Sequence, residues 1–178
     1  MKFQLEDIPP EGREEYFTED ESLLNSRLGG ETTNTGLHFS DPIQVRVKLF
    51  RSGRVVLVTS RIEARVNCIC ARCLEPFALT LTSQFQVSLK PKPDLTPPEE
   101  VELSREDLET DFYEGEEINL SPLVQDQVLL TVPAKLVCRE DCRGLCQGCG
   151  RNLNRETCQC PERKVDLRLE ALRNFRVH

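Results

Sequence analysis

The chain has 178 residues, 38% hydrophobic and 30% charged, with eight Phe, two Tyr and no Trp, so its apolar core is thin for its length. A formal charge of -7 excludes a uniformly basic coat for nucleic acid but leaves local patches open. No apolar run reaches about 18 residues, and MKFQLEDIPPEGREE has no basic segment leading into an apolar stretch, so the reading expects a cytoplasmic protein with no membrane contact and no secretory signal.

The charge falls in blocks. Residues 1–42 carry three basic and ten acidic side chains, 43–93 nine and two, 94–134 one and twelve, and 135–178 ten and six. Three regions are expected: an antiparallel β domain over 1–93 with a CxxC hairpin tip, an acidic Pro-rich loop and short helix over 94–134, and a Cys-rich zinc-binding module with a terminal helix over 135–178. The fold class is α+β, an antiparallel β-meander or partial barrel with a few short helices and a C-terminal zinc-knuckle module.

In chain order, Lys2 to Leu5 reads as a strand, followed by a polar, acidic segment. Glu19 to Leu28 suits a short helix ended by Gly29-Gly30, and Glu31 to Gly36 a loop. Ile43, Val45, Val47 and Leu49 alternate with Gln44, Arg46 and Lys48, which marks a half-buried strand. Arg51-Ser-Gly-Arg54 is a turn. Ile62, Ala64, Val66 and Cys68 alternate with Arg61, Glu63, Arg65 and Asn67. Phe77, Leu79, Leu81, Phe85, Val87 and Leu89 alternate with Thr80, Thr82, Gln84 and Gln86. Three strands with one apolar face result, and Arg46, Lys48, Arg61 and Arg65 share the wetter face. Lys90 to Glu100 has four prolines and reads as a linker. The acidic stretch 101–117 reads as solvated, with Ile118 and Leu120 in a short strand. Ser121-Pro122 starts a helix, with the hydroxyl as cap, and Pro133 stops it. Asp166 to Phe175 is the last helix.

The strongest chemical signal lies in Cys138 to Cys160, where six cysteines fall in 23 residues as C-x3-C-x3-C-x2-C-x8-C-x-C. Nine cysteines in a reducing compartment point to metal ligation before disulfides. Cys146-Gln-Gly-Cys149-Gly150 is a zinc-knuckle pattern: two intervening residues let both sulfurs reach one ion, and a following glycine allows a left-handed turn. Ligation also explains how so apolar-poor a stretch folds. Cys70 and Cys73 have the same spacing, while Cys68 falls on the apolar-face parity and reads as a core residue. The preferred partition is two Zn2+ sites, one from Cys146, Cys149, Cys158 and Cys160, the other from Cys70, Cys73, Cys138 and Cys142. One ion with Cys70 and Cys73 free, or one site that uses Cys138 or Cys142 in place of Cys158 or Cys160, remain rivals. Disulfide exchange at Cys70 and Cys73 is disfavoured, because no helix follows to lower a thiol pKa.

Cys-x-Arg-Cys-Leu-x-Pro-Phe (70–77), the acidic middle, the helix ending at Pro133, and Cys-x3-Cys-x-Gly-Leu-Cys-x2-Cys-Gly-x-Asn-Leu-Asn (138–154) before a final Cys-x-Cys together resemble the YceD family of large ribosomal RNA subunit accumulation proteins. The resemblance covers roughly residues 40–176. It departs at Val165-Asp-Leu-Arg168, where a proline is missing from the entry to the last helix, and Cys68 is an extra cysteine. It implies a bacterial or organellar ribosome-biogenesis factor acting on large-subunit ribosomal RNA or its precursor, and it implies no catalytic residue.

The residues themselves suit RNA. Arg outnumbers Lys, and guanidinium both forks to phosphate and stacks on bases. Candidate RNA contacts are Arg46, Lys48, Arg61, Arg65 and Arg72 on the sheet side and Arg139, Arg143, Arg151 and Arg155 on the zinc loops. Scarce aromatics favour recognition of shape and phosphate over base-by-base reading. Enzyme readings are weak. His38 and His178 read as surface residues, no nucleophile elbow or phosphate loop occurs, and the carboxylates of 99–117 lack the spacing that paired magnesium ions demand. The reading is therefore a non-enzyme with no small-molecule substrate, whose partners are large-subunit ribosomal RNA and possible ribosome-assembly proteins. The alternative is a zinc-stabilised adaptor that binds protein through its acidic segment.

Overall fold

The computed structural model describes residues 1–29, 36–92, 104 and 107–160. The predicted loop at Glu31–Gly36 and linker at Lys90–Glu100 lie largely outside the described residues, and the predicted helix at Asp166–Phe175 lies wholly outside them. Two compact units divide the chain: Met1–Cys68 with Phe77–Ala134, and Ile69–Pro76 with the described residues from Lys135 onward.

The first unit is mostly β-sheet with two helices. Its strands are β1 (Lys2–Gln4), β2 (Arg13–Glu19), β3 (His38–Phe39), β4 (Ile43–Ser52), β5 (Val55–Ile69), β6 (Pro76–Pro91), β7 (Thr110–Tyr113) and β8 (Glu117–Asn119); its helices are α1 (Glu21–Arg27) and α2 (Ser121–Thr131). The large sheet has the order β2-β4-β5-β6-β7, with β3 also on β5, and β1 pairs β8 in a two-stranded sheet. Among the described residues the sheet does not close into the expected partial barrel: its order runs from β2 at one edge to β7 at the other. Its far edge also departs from a meander, because β7 runs parallel to β6 (Ser88↔Thr110 to Pro91↔Tyr113).

Alternation dictates this sheet. In β4, Ile43, Val45, Val47 and Leu49 are buried while Gln44, Arg46 and Lys48 face solvent. β5 repeats the pattern over fifteen residues, with Val56, Val58, Ile62, Ala64, Val66 and Cys68 inward. Each buried Val, Leu or Ile among them contributes about 1.5–3 kcal/mol by leaving water. Ser60 is the polar exception, buried with its hydroxyl donating to Arg46 O at 3.3 Å.

Both helices cover the sheet through few residues. α1 buries Leu24, and α2 buries Val124 and Val128, in one cluster with Phe39, Ile43, Ile62 and Val66. Asp20 caps α1 by accepting from Ser22 N at 2.8 Å, and Gly29, at a φ of 91°, follows its end. Asn25 then pins β3, its amide donating to Phe39 O and accepting from Phe39 N, both at 2.9 Å. The hydroxyl of Ser121 is not the cap expected of it. Leu120 occupies the cap position with no side-chain cap, and Ser121 Oγ instead donates to the buried Glu19 at 3.0 Å. Gln125 Nε2 donates to the same carboxylate at 3.4 Å, so a buried charge is satisfied from the first two turns of α2.

Candidate functional site

The second unit is built on cysteine. Residues 70–75 connect β5 to β6, and the segment from Lys135 folds onto that tip within the same unit. Ala71 N donates to Leu136 O at 2.7 Å, and Leu145 N donates to Arg72 O at 3.1 Å. Arg72 Nη1 reaches the carbonyls of Glu140 and Cys142 at 3.1 and 2.9 Å, so the loop's own arginine closes this contact.

Eight sulfurs gather in two groups, Cys70, Cys73, Cys138 and Cys142 in one and Cys146, Cys149, Cys158 and Cys160 in the other, each with all its sulfurs within 4.8 Å of one another. Cys70–Cys142 and Cys73–Cys138 are both 3.8 Å apart. A zinc–sulfur bond of about 2.3 Å sets tetrahedron edges near 3.8 Å, whereas a disulfide needs about 2.05 Å. All nine cysteines are free thiols. Four-sulfur sets this close could each hold a metal ion. The first is sheltered, with Cys70, Cys73 and Cys142 buried, and the second is open, with Cys149 exposed. Cys68 joins neither cluster; it is buried and its Sγ donates to Phe77 O at 3.6 Å.

The two CxxC turns are the same device. Arg72 N approaches Cys70 Sγ at 3.4 Å, and Gly148 N approaches Cys146 Sγ at 3.4 Å. Leu74 N donates to Cys70 O and Gly150 N to Cys146 O, each at 2.9 Å. Each turn therefore ends on a left-handed residue, Gly150 at a φ of 75° and Leu74 at 59°. Glycine takes this conformation freely; the exposed Leu74 takes it under strain. Gly148 is needed for space, because a Cβ there would meet Cys160 Cβ at 3.2 Å and Sγ at 3.3 Å.

Amide donors set the thiols' acidity. Burial pushes Cys70 up, but N–H groups of Cys73, Cys138 and Arg72 outweigh it and leave the thiol lowered to about 6. N–H groups of Cys149 and Gly148 lower Cys146 to about 6 as well. Burial and the neighbouring thiols push Cys138 up to about 12, and the thiols of Cys149 and Cys146 do the same to Cys160. In each cluster one sulfur is readily anionic and another holds its proton, and a cation replaces such protons when it binds.

Asn154 is the residue sequence reasoning missed. Its Oδ1 accepts from Arg143 N and from Arg139 Nη2, both at 2.8 Å, while its Nδ2 donates to Cys142 Sγ at 3.4 Å and to Asn152 Oδ1 at 2.8 Å. It donates to a cluster sulfur from outside the four-cysteine set, a role that its place in the Asn-Leu-Asn run reveals only once the loop's path is known.

The basic candidates separate by their partners. Arg155 pairs with Glu75 at 2.7 Å, Arg151 with Glu156 at 3.6 Å and Arg139 with Asp141 at 3.3 Å, whereas Arg143 makes no ion pair among the described residues. In the first unit, Arg46, Lys48, Arg61 and Arg65 lie together on the solvent face of β4 and β5, with Arg46 directly opposite Arg61. Glu14 accepts from Arg46 and lies 3.6 Å from Lys48; the Arg46 guanidinium holds its carboxyl below the usual range. Arg61 and Arg65 make no ion pair among the described residues. His38 is exposed, and no helix among the described residues is long and apolar enough to cross a membrane.

No solved structure matches the chain significantly. It is 26% identical over 176 residues to "Large ribosomal RNA subunit accumulation protein YCED homolog 1, chloroplastic" of Arabidopsis thaliana, covering 85% of this chain and 54% of the relative. The Zea mays protein of the same description is 25% identical over 160 residues, 77% of this chain and 55% of the relative. An uncharacterized protein of Mycobacterium tuberculosis (strain ATCC 25618 / H37Rv) is 34% identical over 108 residues, 61% of this chain and 49% of the relative. The chain thus spans about half the length of the curated relatives it matches. The family model described as "Large ribosomal RNA subunit accumulation protein YceD" matches residues 58–176, which takes in most of β5, all of β6 and both cysteine segments, and the chain belongs to the YceD family.

Proposed function

We propose that this chain is a non-catalytic ribosome-biogenesis factor that supports accumulation or processing of large-subunit ribosomal RNA, and that it binds that RNA or its precursor through arginines on two zinc-stabilised cysteine loops. The observation that carries the reading is the gathering of eight sulfurs into two four-sulfur sets on loops that also bear Arg139, Arg143, Arg151 and Arg155. Zn2+ bound there supplies a closed structural cross-link, with no open position for chemistry. Four thiolates on one zinc leave two negative charges, so the loops need nearby cations, and cations in excess of that need remain for phosphate. Arg143, with no carboxylate partner among the described residues, is the first candidate for such a contact. The names of the two plant relatives support large-subunit ribosomal RNA as the class of partner.

The test is binding of the zinc-loaded chain to large-subunit ribosomal RNA over a salt series, with Arg143→Glu/Arg151→Glu beside the wild type. The expected result is salt-dependent binding that the double variant weakens while keeping its metal. An unchanged double variant, or no wild-type binding at low salt, overturns the proposal. Nuclease-resistant capture of a basic protein in that case would favour an adaptor instead.

A further inference from the structure

The exposed face of the large sheet has the composition of a nucleotide platform. Tyr16 on β2 is 67% exposed, and Arg46 stands over its ring, 5.2 Å from the centroid. The Tyr16 hydroxyl donates to Glu14 at 3.3 Å, which fixes the ring's direction. Across β2, β4 and β5 this face carries Arg46, Lys48, Arg61 and Arg65 against Glu14 and Glu63. Arg46 and Arg61 are cross-strand partners, and like charges placed so destabilise a sheet. Glu14 relieves Arg46 and leaves Arg61 without an ion pair among the described residues. The face is thus held in a state that an added anion would improve.

Two recesses flank this arginine pair. One, of about 320 Å³, is lined by Tyr16, Phe17, Val45, Arg46, Arg61 and Glu63 among others. The other, of about 310 Å³, is lined by Arg46, Lys48, Thr59, Arg61 and Gln84 among others. Both combine cationic groups with hydrogen-bonding side chains, and the first adds an aromatic face. Tyr16 remains 67% exposed although Arg46 stands over its ring, so a base stacked on Tyr16, with its phosphate at Arg46 and Arg61, would use the aromatic surface and the arginines together.

We infer that this face binds unpaired RNA, with one base stacked at Tyr16 and the adjoining phosphate held between Arg46 and Arg61. The inference rests on the proposed RNA reading and deepens it: the segment recognised is single-stranded, and Tyr16 is its base contact.

The test uses the full zinc-loaded chain and a labelled, non-self-pairing RNA of about a dozen nucleotides, single-stranded or annealed to its complement. Wild type is expected to prefer the single strand. Tyr16→Leu should weaken that binding about 5- to 150-fold with the salt slope unchanged, and Tyr16→Phe should retain it. Arg61→Gln should lower the salt slope by about one. Because the chain has no Trp, Tyr16→Trp supplies a unique fluorophore that RNA stacking should quench. Equal binding of duplex, full affinity in Tyr16→Leu, or an unquenched Trp would overturn the platform while leaving the wider RNA reading in place. Absence of any wild-type RNA binding, on this probe and on ribosomal RNA, would sink both.

Discussion

Alanine at Gly144 is a sharp probe of how the cysteine loops lock together. Gly144 has a φ of 73°, and a Cβ there would lie 3.0 Å from Arg72 O and 3.4 Å from Arg72 Cβ. The carbonyl is held in place by Leu145 N at 3.1 Å. The left-handed backbone costs alanine about 1–2 kcal/mol. Crowding against a pinned backbone adds about 1–3 kcal/mol. Gly150 is the internal control, because its φ is 75° but nothing lies within 4 Å of a Cβ there. Gly150→Ala should therefore carry the conformational cost alone. The assay is zinc release from each variant across a urea series, followed with a chelating dye. Gly144→Ala should release metal at clearly lower urea than Gly150→Ala, and both earlier than wild type. Equal midpoints would refute the contact between the 70–75 tip and the Cys142–Cys146 loop.

Three further outcomes follow from the same geometry. Asn154→Ala removes an N–H donor from Cys142 Sγ and two anchors of the Arg139–Arg143 loop, and should lower zinc affinity about 10- to 100-fold in chelator competition. Leu74→Gly should hold its stability or gain up to about 1 kcal/mol in urea unfolding, because relief of the left-handed strain exceeds the entropy that glycine adds to the unfolded chain. Phe39→Ala should cost about 3–5 kcal/mol in the same measurement, since its ring is fully buried against both the sheet and the helical side chains of its cluster.

What could be read from sequence depended on periodicity. β4, β5 and β6 follow an alternation of two over ten to sixteen residues, and their inward and outward residues fall where that alternation puts them. β2 is hard to read from sequence because it is an edge strand. In REEYFTE the outward Glu14, Tyr16 and Thr18 alternate with Glu15, a half-buried Phe17 and a buried Glu19, so charge on both faces hides the alternation. With β2 in place, the basic face gains an exposed aromatic, Tyr16, opposite Arg46. β7 was hidden in the acidic run for the same reason: Tyr113 is its single buried residue, and its hydroxyl donates to Arg54 O at 2.7 Å. Pairings such as β1 with β8 and β6 with β7 join segments remote in sequence and leave no local trace. The CxxC spacings were legible, but the partition of eight cysteines rests on how the chain returns to the 70–75 tip, which spacing alone does not fix.

Metal stoichiometry by native mass spectrometry on anaerobically purified protein bears most directly on these ideas. Two zinc ions per chain are expected, falling to one in Cys70→Ser and to one in Cys158→Ser. A single ion untouched by Cys70→Ser, or a chain that stays folded with no metal at all, would contradict the paired four-sulfur sites on which the functional reading is built.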